Sequence, residues 1–574
     1  MSVALASRDL IAEGRAALDA GDPEGAASLF HRASQADAAD YESRYWLYSA
    51  LAAVGEVELA RQALDDARTL HALTLIRLAG ADMARFRNDR AYCAEIASQL
   101  YGAKFMGPAS FAFGRAIDFD NLDATLLLNY GLSLQHQGRM DEAIAVFSAA
   151  VDVLPHPQVH QFLIYALFHH PDRLNRVSQE ARRWGELYAT PLTPPKPTFG
   201  NARTTNRRLR VGYLGPSFTR NQLAQFLTPV LEAHDRAAVE VFLYCADASG
   251  ETPPAGCQLR SIGQLPDADV AAKIRADRID VLVDVWGHTA GSRLPVFAYR
   301  PAPVQVAWMN FVQTTGLACM DYILHADSMA VAGTEQYFTE EIWRIGPIVA
   351  PSRAPADRPA PVPTPALKNG YVTFGSFNNP AKLSEITIAA WSLILRARPQ
   401  DRLVLKYDQF VDPVLQRATQ ARFAVYGARP DQLEFRGRST GMDYLREFQD
   451  IDLALDPSPC PGGTTTCDAL ANGVPVLTQW GDDFYSRIGV PVVQPCGLDE
   501  LIAEDWDDYV QRALDLTEDH QALDALRARV RPGFDASPYQ DEVGFTRRLE
   551  TAYRTMFERW AGISPPATGA TGSR

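Results

Sequence analysis

The sequence predicts an α-helical repeat superhelix over residues 1–189, followed by two α/β units over residues 207–346 and 369–560. Three observations carry this reading. Small and large residues recur every 34 positions in the first third, short apolar runs alternate with helical periodicity in the remainder, and two proline-rich breaks separate the blocks.

The repeat rests on four anchors at fixed offsets: Gly21, Ala26, Phe30 and Ala33, then Gly55, Ala60, Leu64 and Ala67, then Gly138, Ala143, Phe147 and Ala150, with Pro155 closing the last unit. The first two sets stand 34 residues apart. A weaker set, Ala109, Phe113 and Ala116, leads the last by 34 residues and has Lys104 where its glycine would be. Between the second set and the weak one the phase slips by 15 residues, so an insertion or an irregular helix is expected there. This period and spacing resemble the tetratricopeptide repeat. Small residues there let antiparallel helices pack closely, and stacked pairs form a superhelix with a concave face for peptides. Tyr41, Tyr45, Trp46, Tyr48 and Tyr130 read as packing between these helices.

Residues 190–206 and 347–368 are rich in proline and polar residues and read as linkers. Runs at 209–214, 239–244, 279–285 and 303–309 read as strands of one parallel sheet. Runs at 371–377, 403–407, 433–435, 451–456, 474–477 and 490–493 read as strands of a second. Ligands of such sheets lie beyond the carboxyl ends of the strands. Residues 561–574, rich in Gly, Ser, Thr and Pro, are expected to be disordered.

A net charge of -14 argues against nucleic acid or an anionic membrane as the main partner. The seven cysteines stand singly and suit a reducing compartment rather than a disulfide framework or structural zinc. No apolar run reaches the length of a membrane span and the N-terminus does not read as a signal peptide, so a cytoplasmic protein is expected.

Residues 455–477, LDPSPCPGGTTTCDALANGVPVL, pass from a strand through a Gly-rich turn into a helix and a second strand. Backbone N–H groups and the positive end of the helix dipole meet at Gly463, Thr464 and Thr465, which suits a phosphate. The same residues also suit a plain helix cap.

That segment resembles the nucleotide-binding signature of glycosyltransferase family 41, the O-GlcNAc transferases. RPAPVQVAW at 300–308, TTG at 314–316, MDYI at 320–323, GHT at 287–289 and FNNPAKL at 377–383 are similar to further blocks of that family, in order. The resemblance implies a GT-B fold of two Rossmann-like lobes behind tetratricopeptide repeats. It further implies a UDP-GlcNAc-dependent transferase that moves the sugar, with inversion, to Ser or Thr hydroxyls of proteins held along the repeat groove. Lys382 then matches the cation facing the leaving diphosphate, although a solvated surface lysine is the alternative. Gly463, Thr464 and Thr465 match the phosphate cradle, and Asp468 the acid that holds the ribose hydroxyls or complements the dipole. Ser439 and Tyr444 match positions that recognise uracil, with Arg438 and Asn379 as weaker members of the UDP set. No metal or other cofactor is implied, and Asp482-Asp483 reads as a solvated loop.

The departures lie elsewhere. The first-strand block reads VGYLGPSFTRN, with Ser217 where the family commonly has Asp and Asn221 where it has a cleft-lining His. Asn cannot act as a general base. His288 is then the remaining well-placed imidazole, either catalytic or ordering the turn at its strand end. Asn310, Phe311, Val312 and Gln313 also replace the family's GYPG-like run. A related transferase using another UDP-sugar such as UDP-glucose, or another acceptor, and a catalytically attenuated UDP-sugar-binding scaffold stay open beside the leading reading.

Overall fold

A computed structural model describes residues 3–118, 120–170, 173–204, 206–219, 222–329 and 331–563. They gather into two compact units, one formed by Met1–Val146 with Lys406–Arg422 and Phe435–Tyr444, the other by Phe147–Leu405, Phe423–Glu434 and Leu445–Arg574.

The first unit is built from helical hairpins. Its helices are α1 (Val3–Asp19), α2 (Pro23–Ala36), α3 (Tyr41–Val54), α4 (Val57–Ala81), α5 (Met83–Asn88), α6 (Arg90–Gly102), α7 (Met106–Ala116), α8 (Ala124–Gln135) and the start of α9 (Met140–Val153). The anchors sit on the second helix of each pair: Ala26, Phe30 and Ala33 on α2, and Ala109, Phe113 and Ala116 on α7, are all buried. Alanine at these places lets two helix backbones approach, and the one aromatic fills the gap between them. Asp22, Asp40, Asp82, Asp89 and Asp123 each cap a helix by accepting from a backbone N–H of its first turn. The 15-residue phase slip is taken up by α4, at 25 residues the longest of these helices, and by the short α5. Of the aromatic residues, Trp46 stacks on Phe30 at 6.0 Å, whereas Tyr41, Tyr45, Tyr48 and Tyr130 are only half-buried. Within this unit Gly107 N donates to the Asp412 carboxylate at 2.8 Å, so residues 406–422 complete the helical packing.

The turn glycines Gly21, Gly55 and Gly138 adopt left-handed backbone, with φ of 80°, 91° and 73°. Lys104 occupies the equivalent turn with φ 68°, a conformation that costs a side-chain-bearing residue about 1–2 kcal/mol.

The second unit opens with the rest of α9 and with α10 (Pro157–Phe168) and α11 (Arg173–Trp184), which pack with the sheets rather than in the first unit. Arg182 donates to the carbonyls of Gln336 and Phe338, and Ser178 to that of Tyr337. A Cβ on Gly316 would fall 2.0 Å from the Ala181 carbonyl oxygen, and Gly316 has φ 72°, so only glycine lets this loop touch α11.

The first sheet contains β1 (Leu209–Gly215), β2 (Val239–Cys245), β3 (Cys257–Ser261), β4 (Val281–Asp284), β5 (Val304–Ala307), β6 (Tyr322–His325) and β7 (Glu341–Arg344). They lie in the order β3-β2-β1-β4-β5-β6-β7, all parallel. The second contains β8 (Thr373–Ser376), β9 (Arg402–Lys406), β10 (Leu433–Arg436), β11 (Leu453–Leu455), β12 (Val476–Gln479) and β13 (Ile502–Ala503), ordered β10-β9-β8-β11-β12-β13. The strands of the first sheet are mostly continuous buried runs because helices cover both faces. One expected strand is corrected: residues 490–493 form the short helix Val490–Val493. Pro491 cannot donate to a sheet ladder, and its fixed φ and missing N–H suit a first helical turn. The last helix, Glu542–Ala561, returns to the first sheet's side, where Glu550 accepts from Asp235 N and Phe545 stacks on Trp308 at 6.1 Å. The expected disordered tail lies, from residue 564 on, outside the described residues.

Replacing Lys104 by Gly removes the left-handed strain and returns part of it as backbone freedom, so Lys104→Gly is expected to raise stability by about 0.5–1 kcal/mol. The midpoint of urea unfolding, followed by the helical signal, checks this.

Candidate active site

Both sheets reverse strand order beside their first strand, between β1 and β4 and between β8 and β11. Connections leave such a point toward opposite faces, which opens a crevice at the carboxyl ends of the strands. In the second sheet that crevice is lined by Ser376 at the end of β8, Phe377 and Asn378 beyond it, Asp456 beyond β11, and Thr465 and Thr466 of the helix Thr464–Ala471.

Asp456 holds this crevice together. Its buried carboxylate accepts from Gly462 N at 2.8 Å and from Thr466 Oγ1 at 3.2 Å. Burial pushes its pKa up to about 6, opposed by the Gly462 bond and the Lys382 ammonium. Gly462 is enclosed: a Cβ there would lie 2.4 Å from Thr466 Oγ1, 2.5 Å from Thr465 Oγ1 and 2.8 Å from Asp456 Oδ1. Gly463, by contrast, caps the helix and has nothing nearer than Ile488 at 3.9 Å.

Lys382 ends the single 3₁₀ turn Pro380–Lys382, and its Nζ donates to the Pro461 carbonyl at 2.8 Å. Asn378 Oδ1 lies 3.5 Å from that ammonium and accepts from Thr465 Oγ1 at 3.0 Å. Lysine, threonine cradle and strand end are thus brought together. Thr464 opens the helix half-buried, and Asp468 stands one turn on, with Gln225 Nε2 donating to its Oδ1 at 3.5 Å. Asn379 is turned to another task, since its side chain caps the 3₁₀ turn by accepting from Ala381 N at 3.0 Å. It is Asn378, the residue before, that meets Lys382 and Thr465. Asn followed by Pro at a first helical position is a cap signature, and with Asn379 so used the preceding Asn378 is the one that lines the crevice.

Cys460 lies in the same turn, buried, with its Sγ 2.5 Å from the Tyr485 hydroxyl. Burial raises its pKa, but the Lys382 ammonium and the His169 imidazole outweigh that and hold it down to about 6. His169 Nδ1–H donates to the Tyr165 carbonyl, 2.9 Å away.

The first sheet's crevice departs from expectation. His288 has no solvent exposure; its Nε2 bonds the Thr315 carbonyl at 2.8 Å, and Trp184 and Phe311 pack edge-on against its ring. Burial lowers its pKa to about 3. The enclosed imidazole of His288 holds a loop carbonyl, which is the turn-ordering arrangement that the sequence left open beside catalysis. His325 repeats the device at the Val312 carbonyl, 2.9 Å away. Asp284, at the end of β4, accepts from Trp286 N and Gly287 N, and burial raises it to about 7. Asn221 lies outside the described residues.

Arg438, Ser439 and Tyr444 belong to the first unit. There Arg438 faces Asp408 at 3.8 Å, the Ser439 hydroxyl is buried with no hydrogen-bond partner among the described residues, and Tyr444 is half-buried on the short helix Gly441–Glu447. Asp483 caps its own turn by accepting from Tyr485 N and Ser486 N. Among the described residues no group of three or more His, Cys, Asp and Glu side chains converges as a metal site would require.

The sequence profile of glycosyl transferase family 41 matches residues 136–343 and 364–549, well over half of the chain. The chain belongs to glycosyl transferase family 41. Similar proteins include the probable UDP-N-acetylglucosamine–peptide N-acetylglucosaminyltransferases SPINDLY of Oryza sativa subsp. japonica and Hordeum vulgare. The rice protein is 34% identical over 405 residues, covering 68% of this chain and 43% of its own length; the barley protein is 36% identical over 400 residues, covering 67% and 42%. The chain therefore spans under half the length of these curated relatives. A lysine-to-methionine mutant of the Thermobaculum terrenum O-GlcNAc transferase superposes with a TM-score of 0.76 at 28% identity, over 98% of this chain and 99% of that one. Both motif regions that define the crevice, 377–383 and 455–477, fall inside the family 41 match.

The contrast between adjacent glycines is testable. Gly462→Ala is expected to cost about 1–3 kcal/mol through overpacking, whereas Gly463→Ala leaves the melting temperature within about a degree. Calorimetry of the two variants checks it.

Proposed function

We propose that the chain transfers N-acetylglucosamine from UDP-N-acetylglucosamine, with inversion, to Ser or Thr hydroxyls of proteins. The observation that carries this reading is the junction of Lys382, Pro461, Asn378 and Thr465 at the switch point of the second sheet in a family 41 chain. The relatives named as UDP-N-acetylglucosamine–peptide N-acetylglucosaminyltransferases support the donor and the peptide acceptor, and the solved O-GlcNAc transferase supports the transferred sugar.

The chemistry follows from where charge grows. The bond between the anomeric carbon and the β-phosphate oxygen breaks, and its electron pair stays on the diphosphate. An acceptor hydroxyl oxygen bonds to the opposite face of that carbon, and its proton passes to solvent, so that glycoside, diphosphate and proton balance the step. Lys382, now on a neutral carbonyl at 2.8 Å, exchanges that partner for the diphosphate, whose charge rises toward the transition state. The N–H groups at Gly463, Thr464 and Thr465 add the helix N-terminus to the same oxygens. Asp468, one turn into the same helix, takes the ribose hydroxyls. Lys382 and the helix meet the leaving charge without a metal. Acceptor segments lie along the repeat groove, and the scattered free cysteines support a cytoplasmic setting.

A second reading, an attenuated UDP-sugar binder or a transferase of another UDP-sugar such as UDP-glucose, is favoured by Asn221 and by the enclosure of His288. Incubation with radiolabelled UDP-GlcNAc and a cell extract separates the two: protein labelling supports transfer, and tight UDP binding without labelling supports the second reading.

Lys382→Ala is expected to lower kcat about 10²–10³-fold while UDP affinity changes far less, because the charge it meets is largest in the transition state. Equal losses in both would assign Lys382 to ground-state binding. Turnover is expected to be unchanged by excess EDTA, measured in the same assay.

A further inference from the structure

The turn between α6 and α7 departs from the pattern of the other repeat turns. Where Gly21, Gly55 and Gly138 take up the left-handed region, this turn places Lys104, with φ 68°. Glycine would sit there without strain, so the lysine is held at a cost in stability. Strain of this kind collects where a site needs the side chain that bears it.

A cavity in the first unit gives that side chain a use. It encloses about 270 Å³ between α4, the Lys104 turn and the segments that follow β9 and β10. Apart from Gly102, only Ala103 and Val411 bring apolar groups to its lining. It therefore offers no broad apolar wall to a base or a sugar face, and it lies at the small end of the roughly 300–1,000 Å³ usual for ligand pockets. Such a space suits one charged group on a short stem.

Four cationic side chains and three acids line it. The acids are met within the cavity: Asp65 faces Arg68 and Asp408 faces Arg438, each at 3.8 Å, and Asp66 accepts from Gln62 Nε2 at 2.9 Å. The fourth cation class member, Lys104, is half-buried, and among the described residues its ammonium has no hydrogen bond or ion pair. The Ser439 hydroxyl, buried at the same lining, has no hydrogen-bond partner among them either. Both groups donate, and both are unanswered. A hydroxyl withdrawn from water and left unpaired is costly, and a negatively charged acceptor answers it and the ammonium together.

We propose that this cavity binds an anionic group, phosphate or carboxylate, held by the Lys104 ammonium and the Ser439 hydroxyl. The group belongs to a small molecule or to an acidic side chain of a protein segment, and the cavity reads its charge in either case. The site lies within the first unit and does not depend on the transferase reading.

The test compares the full chain with Lys104→Gly, which removes the ammonium while relieving the turn, and with Ser439→Ala. Amide hydrogen exchange over residues 101–106 and 436–441 is followed as inorganic phosphate is added, and separately as a peptide of alternating Ser and Asp or its Ser and Asn counterpart is added. Phosphate or the acidic peptide is expected to slow exchange in both segments at least threefold. Lys104→Gly is expected to raise the Kd read from this slowing at least tenfold while unfolding at higher urea, so lost binding is not lost structure; Ser439→Ala is expected to raise it about threefold. Slowing by phosphate identifies a small anion as sufficient, slowing by the acidic peptide alone identifies a protein segment, and each supports the proposal. No slowing by either, equal responses to the acidic and neutral peptides, a wild-type Kd in Lys104→Gly, or slowing confined to residues 461–467 at the crevice overturns it.

Discussion

A parallel sheet leaves main-chain N–H groups unpaired wherever a strand begins or a loop leaves its end, and this chain answers that need with carboxylates. Asp452 accepts from Thr373 N and Ala366 N, Asp280 from Arg210 N, Asp321 from Gln305 N, and Asp401 from Val372 N. Asp456, Asp284, Glu340 and Glu251 do the same for the loops that border the two crevices. A buried ionised carboxylate is costly unless it is met by several donors, and a strand end supplies them in fixed directions. Part of the net charge of -14 is therefore internal architecture rather than surface.

Asp456 shows how this device becomes a site. By holding Gly462 N and the Thr466 hydroxyl it fixes the turn whose Pro461 carbonyl receives Lys382. The ammonium in turn lowers the cost of the buried acid and pulls down the neighbouring Cys460 thiol. The helix N-terminus, the lysine and the acid constrain one another before any substrate arrives, which is the preorganisation that electrostatic catalysis requires. The first sheet's crevice is built from other parts. His288 and His325, both kept neutral by burial, hold the 312–315 loop by its carbonyls while Glu340 holds it by its N–H and hydroxyl groups.

Much of this was legible in the sequence where chemistry and spacing coincide. The anchors of the repeat announce themselves because only small residues fit between helices, the GGTTT turn because a Gly-rich helix start suits either a phosphate or a cap, and Lys382 only through the likeness of FNNPAKL to a family block. Directions were not legible. Asn378 and Asn379 are adjacent and identical, and only the cap made by the second leaves the first facing the crevice. His288 follows a strand end as a catalyst would, yet Trp184, from a helix far away in sequence, closes over it. The run at 490–493 has strand composition, and a single proline decides it as a helix. Glu251 carries no local signal at all, because its partners are more than 30 residues away and the polar residues around it read as an ordinary loop.

The division of the chain has a consequence for how it is made. Gly107 N waits for a carboxylate 305 residues further on. At ribosomal rates of roughly 5–20 residues per second that interval is on the order of 15–60 s. The helices that emerge first are thus among the last to be finished, and for that time the nascent chain carries an incomplete repeat face with Val411 and Asp412 still unsynthesised. The repeat helices thus begin life needing a segment of their own chain to complete their packing.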